Sequence, residues 1–239
     1  MFKNLTTIIA GTLIALATGP AFAQSQNLRG DINRILEALE TLQDVVVGSQ
    51  GLLEPKTIFV SSTPQSNGDL GGLDGADVIC QDLADDVAGG SIVPAGDYVA
   101  LLSTDDVNAA SRVPPNVGSF VRPDGVPVAA NFASLFATTF ENGDNDLIND
   151  VSVDEKGVDV GAVEVWTGTL ESGIGTGNSN CGNWEKEGTF PSDTFAGRTG
   201  STVETNKQWI SAISGRDCRS TTRHLYCVQL CSGVGCSGG

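Results

Sequence analysis

The sequence predicts an α+β protein with one globular domain, and three observations lead to this prediction. A stretch with helical apolar spacing follows a β-rich segment near residue 57, and several further β-rich segments follow it. Long stretches rich in Gly, Asn and Ser separate these elements. Six cysteines are available to staple a domain that has few elements and much loop. We therefore expect a disulfide-stapled α+β domain.

Residues 1–23 have the pattern of a secretory signal peptide. Lys3 provides the positive start, residues 5–17 are mostly apolar, and Ala21-Phe22-Ala23 gives the small-x-small pattern of a cleavage site. A transmembrane anchor is the alternative, but the run is too short to span about 30 Å of hydrocarbon. We expect a secreted or cell-surface protein, with the periplasm as an open alternative, and no membrane insertion.

Residues 24–55 are interpreted as a coiled-coil stalk and linker. Apolar residues recur at alternating spacings of four and three, and Leu36 and Val45 widen the seam. The seam consists of Leu28, Ile32, Ile35, Leu39, Leu42 and Val46. A seam of this width favours a homo-oligomer, such as a trimer, and the alternative is that the helix docks on its own domain. Gly48 to Pro55 end the helix.

Residues 56–230 form the predicted domain, and residues 231–239 form a tail rich in Cys and Gly. The predicted strands are 57–61, 98–102, 163–166, 208–212 and 224–228, and the predicted helices are 74–87 and 132–136. Ala76, Ile79, Cys80, Leu83 and Val87 share one face of the longer helix.

The charge of the chain excludes one class of partner. The formal net charge is −16, with only 13 Lys and Arg residues. No basic stripe is available to neutralise phosphates, so we expect no nucleic-acid binding. An even number of cysteines in an exported chain favours disulfides over metal thiolates, although six cysteines permit fifteen pairings.

Several motifs together resemble a known family. They are the Gly-Gly-Leu-x-Gly-Ala-Asp turn before Cys80, Trp166-Thr167-Gly168-Thr169, Cys181-Gly182-Asn183-Trp184, Cys218, and His224-Leu225-Tyr226-Cys227. This combination resembles a bacterial secreted domain family related to the C-type lectin-like and endostatin folds, which includes the leptospiral endostatin-like adhesins. The resemblance covers most of residues 57–229 and implies a C-type lectin-like (endostatin-like) domain with an adhesive role.

The resemblance also implies the disulfide pairing. It pairs Cys80 with Cys227 and Cys181 with Cys218, and it leaves Cys231 and Cys236 to close a tail loop or to bridge chains. The chain departs from the wider family because it lacks the Glu-Pro-Asn, Gln-Pro-Asp and Trp-Asn-Asp tripeptides of sugar-binding C-type lectins. It also lacks the basic charge and the several His residues of endostatin, so neither property is expected here.

Two sets of residues are candidate binding sites. Trp166, Asn183, Trp184 and Trp209 are candidates for a ligand-binding surface on which sugars stack, and the alternative is that the tryptophans belong to the core. Asp144, Asp146, Asp150 and Asp154 are candidates for a calcium site, since calcium takes six to eight oxygens from carboxylate-rich loops. The alternative is a solvated acidic loop, because Leu147 stands where an EF-hand loop needs Gly.

No catalytic residue is predicted. The chain has a single His, His224, and its one Gly-x-Ser-x-Gly match, residues 235–239, lies in the Cys- and Gly-rich tail and not at a predicted strand-to-helix turn, so a catalytic triad has no support in the motifs. We expect a non-catalytic binding or adhesion module that recognises a glycan or an extracellular matrix protein. The alternative is a structural component that assembles with copies of itself.

Overall fold

The fold is a mixed sheet built around the last strand of the chain. The computed structural model describes residues 32–40, 54–113, 118–136, 147–185, 196–219 and 222–232. Of these, residues 231 and 232 are described by their backbone only. The strands are β1 (Lys56–Val60), β2 (Gly96–Ala100), β3 (Phe120–Val121), β4 (Pro127–Ala129), β5 (Glu164–Trp166), β6 (Ala196–Ser201), β7 (Ile213–Asp217) and β8 (His224–Ser232). The helices are α1 (32–40), α2 (Gly72–Asp85), α3 (Ala109–Arg112) and α4 (Phe132–Leu135), and Lys207–Trp209 is a 3₁₀ turn.

The order of the strands is β4-β3-β1-β8-β5-β6-β7, and β2 also pairs with β8. The pairs β1–β3 and β5–β8 are parallel, and the other pairs are antiparallel. The predicted α+β class is therefore confirmed, with a mixed sheet that joins chain segments from both halves of the domain.

Alternate residues of β8 enter two different cores, because successive side chains of a strand point to opposite faces. Leu225 and Cys227 pack in a cluster with residues of α2, while Tyr226 and Val228 pack in a second cluster with Val165. All five side chains are fully buried. Both faces of the central sheet are thus covered.

Helix α2 packs closely on the sheet because small residues recur every four positions along its buried face. Ala76, Cys80 and Ala84 are buried, and Cys80 forms a disulfide with Cys227 of β8. The two cysteines are 147 residues apart. The chain-entropy model gives such a crosslink about 5 kcal/mol of stabilisation. Val87, which we placed on the same helical face, lies beyond the end of α2 and is exposed.

An ion pair ties α2 to the end of β2. Asp77 Oδ1 accepts a 2.9 Å hydrogen bond from the Ala100 backbone N–H, and Arg112 Nη1 donates a 2.8 Å bond to the Ala100 carbonyl. The Asp77 and Arg112 side chains are paired with each other. Burial raises the pKa of Asp77, and the guanidinium of Arg112 partly opposes this effect. The pair fixes the direction in which the chain leaves β2 and enters the loop 101–108.

The chain divides into two units, Met1–Val47 and Gly48–Gly239. In the first unit, α1 covers the middle of the predicted stalk helix, and its Ile35, Leu36 and Leu39 side chains are exposed. Pairing of this helix with other chains stays a prediction. The signal peptide, Leu28, and the stalk residues Leu42, Val45 and Val46 lie outside the described residues.

One predicted strand is wrong. Residues 208 and 209 end a 3₁₀ turn and residues 210–212 lead from it to β7, since Asn206 caps the turn by accepting from the Gln208 backbone N–H. Trp209 and Ile210 are both fully buried, and the Ile210 backbone N–H bonds back to the Lys207 carbonyl, as in a helical turn. The strands β3, β4, β6 and β7 were not predicted.

Candidate functional site

A left-handed turn is the most unusual local feature of the domain. Cys181, Gly182, Asn183 and Trp184 have φ angles of 51°, 63°, 64° and 64°. A left-handed residue other than Gly costs about 1–2 kcal/mol, although Asn tolerates this conformation better than most. Strain of this kind persists only where the surrounding structure determines it strongly, and it clusters at functional sites. The turn therefore marks a candidate site.

Two kinds of contact hold the turn in place. Cys181 is bonded to Cys218, so the first residue of the turn is crosslinked to the end of the β7 segment. Trp184 is fully buried, and its Nε1 donates a 2.8 Å hydrogen bond to the Ser103 carbonyl. The Trp184 carbonyl accepts a 2.8 Å bond from the Leu70 backbone N–H. Three separate loops thus converge on four residues.

Gly168 makes room for the Trp184 ring. A Cβ atom at this position would lie 2.8 Å from Trp184 Cζ2 and 2.9 Å from the Ser103 carbonyl oxygen. Its φ angle is +61°, which also favours glycine. The Trp-Thr-Gly-Thr motif therefore has a structural reason, because it places a glycine beneath the indole that supports the turn.

Asp105, Asn180 and Asn183 form a polar group on this surface, which we call the Asn183 cluster. Asn180 Nδ2 donates a 2.7 Å hydrogen bond to Asp105 Oδ1 and a 3.1 Å bond to Asn183 Oδ1. The Asp105 backbone N–H donates a 2.8 Å bond to the same Asn183 oxygen. Two donors thus fix the orientation of the Asn183 amide, whose Nδ2 lies 3.4 Å from Asp105 Oδ2.

The Asn183 cluster presents an acceptor and a donor side by side. Asp105 is exposed, Asn183 is half-buried, and Asn180 beneath them is 3% exposed. Each Asp105 oxygen can accept further hydrogen bonds, and the Asn183 amide has a second N–H to donate. Adjacent hydroxyl groups both donate and accept hydrogen bonds, so this arrangement suits a polyhydroxylated ligand.

The predicted stacking surface is wrong for all three tryptophans. Trp166, Trp184 and Trp209 are fully buried, so none of them offers a ring face to a sugar. Trp166 and Trp184 pack against each other at 5.8 Å between ring centroids, and Trp209 packs against Tyr226 at 5.4 Å. The alternative that they belong to the core is correct. Of the four predicted ligand-binding residues, only Asn183 lies at the surface.

The calcium prediction falls partly outside the described residues, since Asp144 and Asp146 are not among them. Asp150 Oδ1 accepts a 2.7 Å bond from Arg122 Nη1. Asp154 is 5% exposed, and its Oδ1 accepts from two backbone N–H groups of its own loop. Within the described ranges, no three His, Cys, Asp or Glu residues form a group that suits a metal ion. The calcium site stays a prediction.

The cysteines pair as the resemblance implies. Cys80 is bonded to Cys227 and Cys181 to Cys218. The backbone of Cys231 is part of β8, its side chain is outside the described residues, and so is all of Cys236.

His224, at the start of β8, makes a hydrogen bond to the loop that follows β1. Its Nδ1 is 2.6 Å from the Ser61 carbonyl oxygen. A carbonyl oxygen can only accept, so Nδ1 carries the hydrogen of this bond. The ring thereby joins β8 to the loop that follows β1.

Sequence reasoning missed Asp105 and Asn180. The signal for Asn180 was available, because the run Asn-Cys-Gly-Asn contains the residue types that tolerate left-handed backbone. Asp105 gave no local signal, since it reaches the cluster from a loop 75 residues earlier in the chain.

No protein-family model and no curated protein matches the chain. In the described part of the chain, none of the helices has the length and apolar character that crossing a bilayer requires.

Proposed function

We propose that the protein is a secreted, non-catalytic binding module that recognises an extracellular glycan through the Asn183 cluster. We further propose that its domain belongs to the C-type lectin-like (endostatin-like) class implied by the sequence motifs. The single observation that carries the functional proposal is the paired acceptor and donor formed by Asp105 and Asn183 on a left-handed turn.

Pre-organisation is the physical reason that this surface suits binding. The Asn183 amide is held by hydrogen bonds from Asp105 and Asn180, and the backbone beneath it is held by a disulfide. Ligand binding therefore costs little conformational entropy for ordering these side chains, and the affinity for a given set of contacts is higher. Since the tryptophans are buried, binding would depend on hydrogen bonds to hydroxyl groups in place of ring stacking.

Multivalency fits the same proposal. A single polar cluster gives weak binding, and linking several copies raises the overall affinity without any new contact. The apolar side chains of α1 would link the copies by packing against the same helix of other chains. The exposed ones are Ile35, Leu36 and Leu39. An extracellular matrix protein is the second ligand class, and a glycan is favoured by the closely spaced acceptor and donor.

A second candidate function is structural self-assembly in an envelope, appendage or matrix. The observation that favours it is the same exposed seam of α1, since an assembly role needs contacts between copies and no external ligand. A protein that forms growing polymers at high concentration and binds no glycan would support this function over the first.

The partner class is tested with the purified chain on an array of glycans and matrix proteins, first with calcium and then with EDTA. The proposal predicts binding to one or more glycans. Binding that survives EDTA shows that recognition does not need calcium, as a site at the Asn183 cluster alone requires, and binding lost in EDTA supports the predicted calcium site at residues 144–154. Folded protein that binds nothing on the array contradicts the proposed function.

A further inference from the structure

A second polar group lies where β5, β7 and the start of β8 come together. Glu164 is shared by two arginines: its Oε2 accepts 2.8 Å bonds from Nε and Nη2 of Arg223, and its Oε1 is paired with Nη2 of Arg216. The Arg223 guanidinium also lies 4.8 Å from the centroid of the Trp166 ring. We call Arg216 and Arg223 the arginine pair.

The charges of this group do not balance. Among the residues that the structure describes, two guanidiniums face one carboxylate, which leaves one positive charge in a chain whose formal net charge is −16. The Arg223 side chain is only 6% exposed, so its charge is largely removed from water. Buried charges are normally paired. Burial lowers the pKa of Arg223, Glu164 opposes this, and the charge of Arg216 lowers it further.

Arg216 also has an unused donor. Its Nε is buried and has no hydrogen-bond partner among the described residues, while its side chain as a whole is 34% exposed. A buried donor without a partner is costly, and native structures seldom leave one unsatisfied. The Arg216 side chain thus combines a buried donor without a partner, partial exposure to solvent and a share of the uncompensated charge.

From this geometry we propose that the arginine pair is a binding site for a carboxylate group of an external ligand, centred on Arg216. The planar fork of a guanidinium matches the two oxygens of a carboxylate. Glu164 already engages both guanidiniums, since its Oε2 accepts from Arg223 and its Oε1 is paired with Arg216. The added carboxylate neutralises the remaining charge at the partly exposed side chain of Arg216.

This site shares no residue with the Asn183 cluster and does not depend on the proposed function. The nearest further ion pair in sequence is Arg219 with Asp217, in which Arg219 Nη2 donates a 2.8 Å bond to Asp217 Oδ2. Arg219 follows the end of β7 and is paired with the carboxylate of Asp217. It therefore serves as a matched control for Arg216.

The test is a titration of the ¹⁵N-labelled chain in which the Nε–H resonances of the arginines are followed by NMR. Sodium acetate and sodium glucuronate replace sodium chloride at constant ionic strength, and glucose is the neutral control. We expect a saturable shift of the Arg216 Nε–H resonance with both carboxylates, with affinity on the order of millimolar for a single charge-assisted contact. Chloride and glucose should leave it unchanged.

Variants then locate the site. Because variants at Arg216 lack its Nε–H resonance, their binding is followed at the Nε–H of Arg223, and Arg216→Gln should weaken carboxylate binding at least about tenfold, since it removes a charge-assisted contact. Arg216→Lys, which keeps the charge and loses the fork, should also weaken it. Arg219→Gln should leave binding unchanged. No saturable shift of the Arg216 resonance in the unmodified chain would overturn the proposal, as would equal binding by Arg216→Gln or a loss confined to Arg219→Gln.

Discussion

The Asn180 side-chain amide donates a 2.7 Å hydrogen bond to the carboxylate of Asp105, which lies 75 residues earlier in the chain. This bond joins the loop after β2 to the left-handed turn Cys181–Trp184. The candidate binding surface therefore exists only when both loops are in place. Its properties can be tested by changing the backbone, the supporting glycine and the polar atoms one at a time.

Two substitutions at Asn183 separate backbone strain from side-chain bonding. Asn183→Ala loses the amide and keeps an unfavourable left-handed backbone, whereas Asn183→Gly loses the amide and relieves the backbone. We expect the alanine variant to be about 1 kcal/mol less stable than the glycine variant in urea unfolding. Both should lose ligand binding. Equal stability of the two variants would show that the turn is not left-handed in solution.

Gly168→Ala tests the support beneath Trp184. The added Cβ meets Trp184 and the Ser103 carbonyl in a left-handed backbone, so we expect a loss of about 3 kcal/mol. Gly177→Ala is the control, because Gly177 has a similar φ of +70° and no atom lies within 4 Å of its added Cβ. The control should lose about 1 kcal/mol or less. Denaturant unfolding of both variants compares the two, and equal losses would contradict close packing at Gly168.

The pH dependence of Asp217 reports on its contact with Arg219. Hydrogen bonds from Arg219 lower the pKa of Asp217 to about 2. A carboxyl whose pKa is lower in the folded state stabilises the protein above its unfolded pKa, near 3.8, and loses this effect as the pH falls towards 2. Both side chains are largely exposed, so the contribution to stability is small.

An NMR titration of the Asp217 carboxyl gives the direct measurement. In the Arg219→Gln variant we expect its pKa to rise towards the ordinary value for Asp. A pKa that stays low without Arg219 would assign the shift to another neighbour.

The stalk prediction is tested by charge placed on or off the apolar seam of α1. Leu39→Asp puts a carboxylate at a seam position that is exposed in the single chain, and should convert the oligomer to a monomer in light scattering. Asn33→Asp adds the same charge at an outer position of the same helix and should leave the oligomer intact. A wild-type chain that is already monomeric at high concentration contradicts the stalk interpretation.

The sequence predicts those elements whose apolar residues have a clear period. Helix α2 belongs to this group, since Ala76 and Cys80 lie at the buried positions that their spacing predicts, whereas β1 and β8 are recognised as short β-rich runs whose consecutive residues are buried. The class of the fold and the two described disulfides follow from the same features together with the family resemblance.

Strand β6 could not be predicted because its residues are small and polar. Its Ala-Gly-Arg-Thr-Gly-Ser sequence has no apolar alternation, and it is part of the sheet because Gly197 and Gly200 let larger groups approach. A Cβ at Gly197 would lie 2.1 Å from the Trp166 ring, and one at Gly200 would lie 1.9 Å from the Trp209 carbonyl. The large partners that define this strand are distant in sequence, so no local pattern reveals it.

The candidate site was predicted through one residue only. Asn183 stands next to Cys181 and Trp184 in a distinctive motif, which drew attention to it. The tryptophans were placed at the surface as well, but a large apolar ring gains more from burial than a loop surface offers. Asp105 and the arginine pair depend on contacts between distant strands and loops, which composition and spacing do not encode.

The most direct test of the proposed function compares Asp105→Asn with Asp106→Asn in binding to the glycan that the array identifies. Both residues are exposed and adjacent, so each variant removes one negative charge from the same loop, but only Asp105 belongs to the Asn183 cluster. The account predicts at least about tenfold weaker binding by Asp105→Asn and unchanged binding by Asp106→Asn in isothermal titration calorimetry. Equal affinities of the two variants would show that recognition takes place elsewhere on the protein.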